Sequence, residues 1–202
     1  MKLYHCPDAR SLRVLWTLEE MGLDYELVNM GFPPRANYPG YLDINPLGTV
    51  PAFVDGDLTM TESSGICHYL VEKYGPSALG VNRDDPHYGE YLNWLYRSDA
   101  TLTFPQTLVL RYTRLEPPER RVAQVAEDYS IWYLSRLRCV ETALEDREYL
   151  VDNRFTIADV TVAYALFFGT TLGLDARYKP NCKRYLGQLM QRDAFKRARA
   201  KQ

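Results

Sequence analysis

Apolar residues at positions 14, 15, 18 and 21 fall on one face of a helix over 11–21, and Gly22 closes it. Short apolar stretches at 2–4 and 25–28 read as strands on either side. Their parallel pairing through the helix is a right-handed βαβ unit. Residues 31–46 carry prolines at 33, 34, 39 and 46 and are expected to be irregular or only briefly helical. Apolar stretches at 50–54 and 58–60 flank Asp55-Gly56-Asp57, a hairpin signature. A helix over 63–74 follows, with Ile66, Leu70 and Tyr74 on one face.

From residue 87 the pattern is helical throughout, with stripes near 87–111, 118–145, 156–172, 182–190 and 192–200. Pro105 is expected to kink the first, because it lacks an amide hydrogen and clashes with the preceding turn. In Phe155-Thr156-Ile157-Ala158-Asp159-Val160, Thr156 caps the first turn, Asp159 reaches back to the cap amide and Phe155 packs on Val160. The apolar run from Val160 to Phe168, broken only by Thr161, belongs in the core of a helical domain. This motif serves folding.

Between the two patterns, residues 74–86 are dense in Gly, Pro, Asn and Asp, which make turns. The boundary divides the chain into a domain at 1–76, a linker at 77–86 and an all-helical domain at 87–202. Charge divides with it: residues 1–84 hold 6 basic and 11 acidic side chains, the remainder 18 and 15. The near-neutral total of -2 is unlike that of a nucleic-acid binder, and 46% hydrophobic residues exclude disorder. The cysteines at 6, 67, 139 and 182 form no CxxC pair and no zinc-like spacing, so no metal is expected and a reducing compartment fits. The amino-terminal residues lack a signal-peptide pattern, and no stretch approaches the ~20 apolar residues that span a bilayer. The expectation is a cytoplasmic protein with neither membrane nor nucleic acid as partner.

The order βαβ, irregular segment, ββα, then helices resembles the cytosolic glutathione S-transferase family. The residues carry the likeness further. Asn45-Pro46-Leu47-Gly48-Thr49-Val50-Pro51-Ala52-Phe53 followed by Thr61-Glu62-Ser63-Ser64 resembles the family's NPxGxVPxL and xES motifs, and 155–159 its capping box. The run from Ala9 to Trp16 is similar to the opening helix of bacterial, beta-like and fungal members. The resemblance implies an α/β thioredoxin-like domain followed by an all-α bundle, with glutathione as co-substrate. It also implies a homodimer and a small hydrophobic electrophile bound between the domains, where Tyr91, Trp94, Leu95, Tyr112 and Phe168 are candidate linings or, at helical spacing, core.

By the same resemblance, the peptide before Pro51 is cis and the Val50 backbone pairs with the cysteinyl part of glutathione. Proline cannot donate to a ladder and belongs at a sheet edge or in a cis turn, so a trans edge proline is the alternative. Ser63 and the amides at the helix start would bind the γ-glutamyl carboxylate, and Glu62 its ammonium; helix starts bind anions generally. As a plain N-cap, Ser63 would do no more than begin the helix. Thr49 departs from the Lys or Gln of many members, so the glycyl carboxylate passes to Arg35 or another residue of 31–46.

The chemistry needs the glutathione thiolate, because the thiol, with a pKa of ~8.5, is a poor nucleophile. Four residues near the first strand and helix are candidates to stabilise it: Ser11 first, then Arg10, Cys6 and Tyr4. Ser11 could equally be a helix N-cap, Arg10 a solvated surface charge and Tyr4 a packed aromatic. Cys6-Pro7-Asp8-Ala9 followed by Arg13 is similar to the CPxA…R of omega-class members, in which the cysteine forms a mixed disulfide with glutathione. That makes a glutathione-dependent thiol transferase or disulfide reductase the rival reading. A non-catalytic, regulatory relative that binds protein partners is the third. The basic 196–201 segment reads as a solvated helix end or a contact for an acidic partner.

Overall fold

Strand β1 (Lys2–His5) pairs in parallel with β2 (Glu26–Asn29) through helix α1 (Ser11–Met21), forming the βαβ unit. In this computed structural model, which describes residues 1–202, Gly22 ends α1 in the left-handed region at φ 63°, where its amide reaches the Leu18 carbonyl. The proline-rich stretch holds two short helices, α2 (Pro34–Asn37) and α3 (Tyr41–Ile44). Strands β3 (Ala52–Asp55) and β4 (Leu58–Met60) form the hairpin, and α4 (Ser63–Lys73) follows. The sheet order is β2-β1-β3-β4, with β3 antiparallel to both neighbours.

This is a thioredoxin-like arrangement. Because β3 lies inside the sheet, Pro51 is not on an edge strand: it stands one residue before β3, in a cis peptide with Val50. The strand therefore begins two residues later than its apolar pattern suggested.

The chain forms two compact units, Met1–Gly80 with Met190–Gln202, and Val81–Leu189. The second is helical: α5 (Tyr88–Arg97), α6 (Phe104–Leu110), α7 (Ala123–Arg136), α8 (Arg138–Ala143), α9 (Ile157–Thr171) and α10 (Pro180–Met190). The disruption expected at Pro105 takes the form of a π-helical stretch over Ser98–Thr103 just before it. The Gln106 amide there donates to the Leu102 and Ala165 carbonyls, both at 2.9 Å, tying α6 to α9.

At the start of α9 the capping box forms as the motif implies. Thr156 Oγ1 accepts from the Ala158 amide at 3.2 Å, and Asp159 accepts from the Thr156 amide at 2.8 Å. Asp159 also accepts from the Leu150 amide at 2.9 Å and the Tyr185 hydroxyl at 2.8 Å, so this buried carboxyl joins three segments. The Phe155 ring packs against Tyr149. Further along α9, the Tyr178 hydroxyl lies 1.9 Å from where a Cβ on Gly169 would stand, which requires glycine there.

Helix α11 (Asp193–Ala200), expected within the helical domain, belongs instead to the first unit. Phe195 packs on Trp16 with ring centroids 4.8 Å apart, and Arg192 grips Glu20 with two bonds of 2.6 and 2.9 Å. Arg197 and Lys201 converge on Glu19. The acidic partner of the basic segment is thus in the same chain. At the end of β1, His5 is fully buried and bonds through Nε2 to Gln202 Oε1 at 3.2 Å. No helix is long and apolar enough to cross a membrane.

Replacing Asp159 with alanine leaves two buried amides and a buried hydroxyl without this acceptor, and a loss of about 3 kcal/mol or more is expected in urea unfolding. A second prediction concerns acid. Burial pushes the His5 imidazole down to about 4, while in the unfolded chain it takes a proton near 6.5. The unfolded state then binds more protons, so the stability due to His5 is complete above pH 6.5 and is lost as pH falls towards 4. Urea midpoints should fall less steeply over that window in His5→Asn than in the wild type.

Candidate active site

The loop leaving β1 carries Cys6 and leads into α1. Cys6 has no exposed surface, its Sγ lies 3.7 Å from the Gly31 carbonyl oxygen, and burial pushes the thiol up to about 11. A redox cysteine needs exposure and a lowered pKa. The structure gives Cys6 neither, which corrects its assignment as a redox nucleophile.

Ser11 is placed differently from the expectation as well. The residue at the N-cap is Arg10, and Ser11 is the first helical residue. Its hydroxyl accepts from the Cys6 amide at 3.4 Å and lies 3.5 Å from the Cys6 carbonyl, to which it donates. With no exposed surface and both functions engaged, Ser11 braces the loop. Tyr4 lies in a buried cluster with Cys6, Met30, Tyr41, Val50 and Ala52, its ring about 6 Å from those of Tyr38 and Tyr41. It is a packed aromatic. Of the four candidates, only Arg10 keeps appreciable exposure, at the start of α1 where the helix dipole is positive.

The turn before Pro51 is held from behind. The Tyr41 hydroxyl and the Asn45 amide both donate to the Thr49 carbonyl, at 2.6 and 2.7 Å, and Asn45 Oδ1 accepts from the Leu47 amide at 3.1 Å. Val50 follows, with neither its N–H nor its C=O paired to another backbone group. Arg35 lies across this turn: a Cβ on Gly48 would meet its Cδ at 3.1 Å and its Cβ at 3.2 Å. Its stem is therefore beside the residue preceding Thr49. An open cleft of about 300 Å³ is lined by Arg35, Tyr38, Tyr41 and Leu42.

At the start of α4, the N-cap residue is Glu62, which is exposed, and no side chain caps the helix. Its first amides have no intrahelical acceptor. Ser63, one residue inside, does not act as the cap considered for it: its Oγ accepts from Arg13 Nη1 at 2.9 Å. Arg13 projects from α1 and is fully buried. Its charge adds to the positive end of α4. Sequence reasoning singled out Arg13 only as part of the CPxA…R spacing. An arginine two positions beyond the helix start was the available signal, but its partner lies 50 residues away.

Elsewhere, Cys67 and Cys182 are buried, Cys139 is partly exposed and no disulfide forms. No group of three His, Cys, Asp or Glu side chains gathers as metal ligands. Tyr91, Trp94, Leu95 and Phe168 are buried within the helical unit, and Tyr112 keeps partial exposure.

The glutathione S-transferase N-terminal domain family matches residues 1–72, and the C-terminal domain family matches 112–193. Glutathione S-transferase 3 of Schizosaccharomyces pombe is 29% identical over 98% of this chain and 86% of its own. Glutathione S-transferase GstB of Escherichia coli is 30% identical over 92% of this chain and 90% of its own. Among solved structures, a glutathione S-transferase from Actinobacillus pleuropneumoniae is 28% identical with a TM-score of 0.82, covering 99% of this chain and 91% of that one. The two domain matches in tandem, the near full-length relatives and the shared fold agree, and the chain belongs to the glutathione S-transferase family of transferases.

Proposed function

We propose that this protein activates the thiol of glutathione for attack on a small hydrophobic electrophile, with the tripeptide held by three parts of the first unit. The observation that carries this reading is the uncapped start of α4, where Ser63 is backed by the buried Arg13 guanidinium at 2.9 Å. The positive end of a helix, a hydroxyl and a nearby fixed cation suit a carboxylate. This is the γ-glutamyl end, with Glu62 taking the ammonium. The unpaired Val50 backbone takes the cysteinyl residue in strand-like fashion. Arg35, beside Thr49, takes the glycyl carboxylate that threonine cannot pair with.

In the reaction, the sulfur loses its proton to water and attacks the electrophile; a carbon–sulfur bond forms and the leaving group departs with the bonding pair. Stabilising the thiolate by one pKa unit is worth about 1.4 kcal/mol. Arg10 and the amides at the start of α1 supply that potential. The buried hydroxyl of Ser11 and ring of Tyr4 support the loop and core instead. Disulfide reduction through Cys6 is not favoured, because its thiol is buried and pushed up to about 11. Nor is a non-catalytic role favoured, since the chain belongs to a family of transferases. A two-fold dimer, the commonest oligomeric symmetry, is part of the proposal.

The test is an absorbance titration of the glutathione thiolate on the protein, with turnover of an activated aryl chloride. The bound thiol should ionise well below the ~8.5 of a free thiol, and Arg10→Ala should raise that value by about one unit. No binding at millimolar glutathione sinks the reading. Arg35→Ala should raise KM for glutathione about tenfold or more, as expected for a charged contact, and leave kcat within about twofold. In the native protein, iodoacetamide should leave Cys6 unmodified at pH 8, as read by mass spectrometry of digests; rapid alkylation there would restore the disulfide-reductase reading.

A further inference from the structure

We propose that the side chains of Gln202 and Arg199 are positioning residues for thiolate formation, holding the loop between β1 and α1 in its working shape. This rests on the function proposed above, in which the start of α1 meets the glutathione sulfur.

The loop carries an improbable backbone. Asp8 is left-handed at φ 58°, one of three non-glycine residues with positive φ in the chain. Aspartate enters this region more readily than most side chains but less freely than glycine, so contacts that hold it there matter. Two contacts do so from a segment more than 190 residues away. The Asp8 amide donates to Gln202 Oε1 at 2.8 Å, and the Asp8 carboxylate pairs with Arg199. Within the loop, the Ala9 amide, 3.2 Å from the Cys6 carbonyl, and the Ser11 hydroxyl brace the turn before α1 begins.

The same Gln202 oxygen accepts from His5 Nε2 at 3.2 Å. One carbonyl oxygen thus joins the end of β1 to the loop three residues beyond. This fixes the orientation of the glutamine amide, since Asp8 N–H can only donate. It also leaves His5 Nδ1 and Gln202 Nε2 buried without partners. Buried polar atoms without partners oppose stability and call for an explanation beyond it. Holding Asp8, and with it the direction in which the chain enters α1, is that explanation.

The segment bearing these side chains is itself anchored. The Asn29 amide donates to the Lys201 carbonyl at 2.7 Å, Arg197 bonds Glu19 at 2.9 Å, and Arg192 grips Glu20. Gln202 is thereby placed by several contacts that do not involve the loop. Loosening it should disturb the loop selectively, and so the direction of Arg10 and the first amides of α1, while leaving Ser63, Val50 and Arg35 in place.

The experiment compares pH–rate profiles for glutathione and an activated aryl chloride in wild type, Gln202→Ala and the double variant Gln202→Ala with Asp8→Gly. In Gln202→Ala the apparent thiol pKa should rise by about one unit and kcat/KM at pH 6.5 should fall about tenfold, with KM for glutathione within about twofold. Glycine adopts φ 58° freely, so the double variant should regain activity to within about threefold of wild type. Amide exchange at Asp8 should accelerate in Gln202→Ala while the interior of α1 keeps its protection. If Gln202→Ala does not fold, Arg199→Met, which removes the ion pair to Asp8, should shift the profile the same way by about threefold. A wild-type profile in the folded single variant, whatever its melting temperature, overturns the proposal, as does a double variant no better than the single. If wild-type protein does not lower the thiol pKa at all, the parent reading falls and this one with it; unchanged exchange at Asp8 defeats the positioning role alone.

Discussion

Helix α1 is buried along nine successive residues, from Ser11 to Glu19, and the first unit is organised around satisfying its polar side chains. A surface helix shows one apolar stripe and one solvated face. Here both faces are covered. Its apolar residues join the core beneath, while Arg13 bonds Ser63 on α4 and Thr17 lies 3.2 Å from the Cys67 sulfur on the same helix. Towards α11, Glu19 and Glu20 are met by Arg197, Lys201 and Arg192. Burial pushes the Glu19 carboxyl up, but bonds from Lys201, Tyr25 and Arg197 outweigh this and hold it below the usual carboxylate range. A buried charge is tolerated only when paired in this way, and removing one partner leaves the other exposed to the full desolvation penalty.

This constraint connects folding with the proposed chemistry. The helix that must be paired on both faces also presents its positive end to the proposed sulfur site, and its first turn supplies the cation behind Ser63. Those two features are separated by three residues of one rigid element, so they keep a constant spacing. In the proposed reading the γ-glutamyl end and the reacting sulfur of one tripeptide are therefore referred to the same helix. The remaining contact, the Val50 backbone, is held by Tyr41 and Asn45 through Thr49 and does not depend on α1.

Much of this was legible from local pattern. The βαβ unit, the hairpin at Asp55-Gly56-Asp57 and the Thr156–Asp159 capping box each depend on residues close in sequence, and each is present. The pairing of the polar side chains of α1 was not legible because their partners are distant: Arg13 and Ser63 are 50 residues apart, Glu20 and Arg192 are 172. A glutamate or arginine opposite an apolar stripe looks solvated until something covers it. The basic 196–201 segment looked solvated for the same reason. Ser11 illustrates a finer failure, since serine at a helix start usually caps it, but one position of displacement turned its hydroxyl onto Cys6. For Cys6 the motif was legible and the environment was not: a cysteine at a strand end can be exposed or fully packed, and only tertiary structure decides.

In the proposed reading, α1 and α4 together make a recognition point for the γ-glutamyl end of glutathione. Calorimetric titration of the protein with glutathione and with cysteinylglycine, which lacks that end, tests it most directly. Charge-assisted hydrogen bonds at a helix start with a buried arginine behind it should make glutathione bind roughly tenfold to a hundredfold more tightly than the dipeptide. Equal affinity for the two would contradict the account.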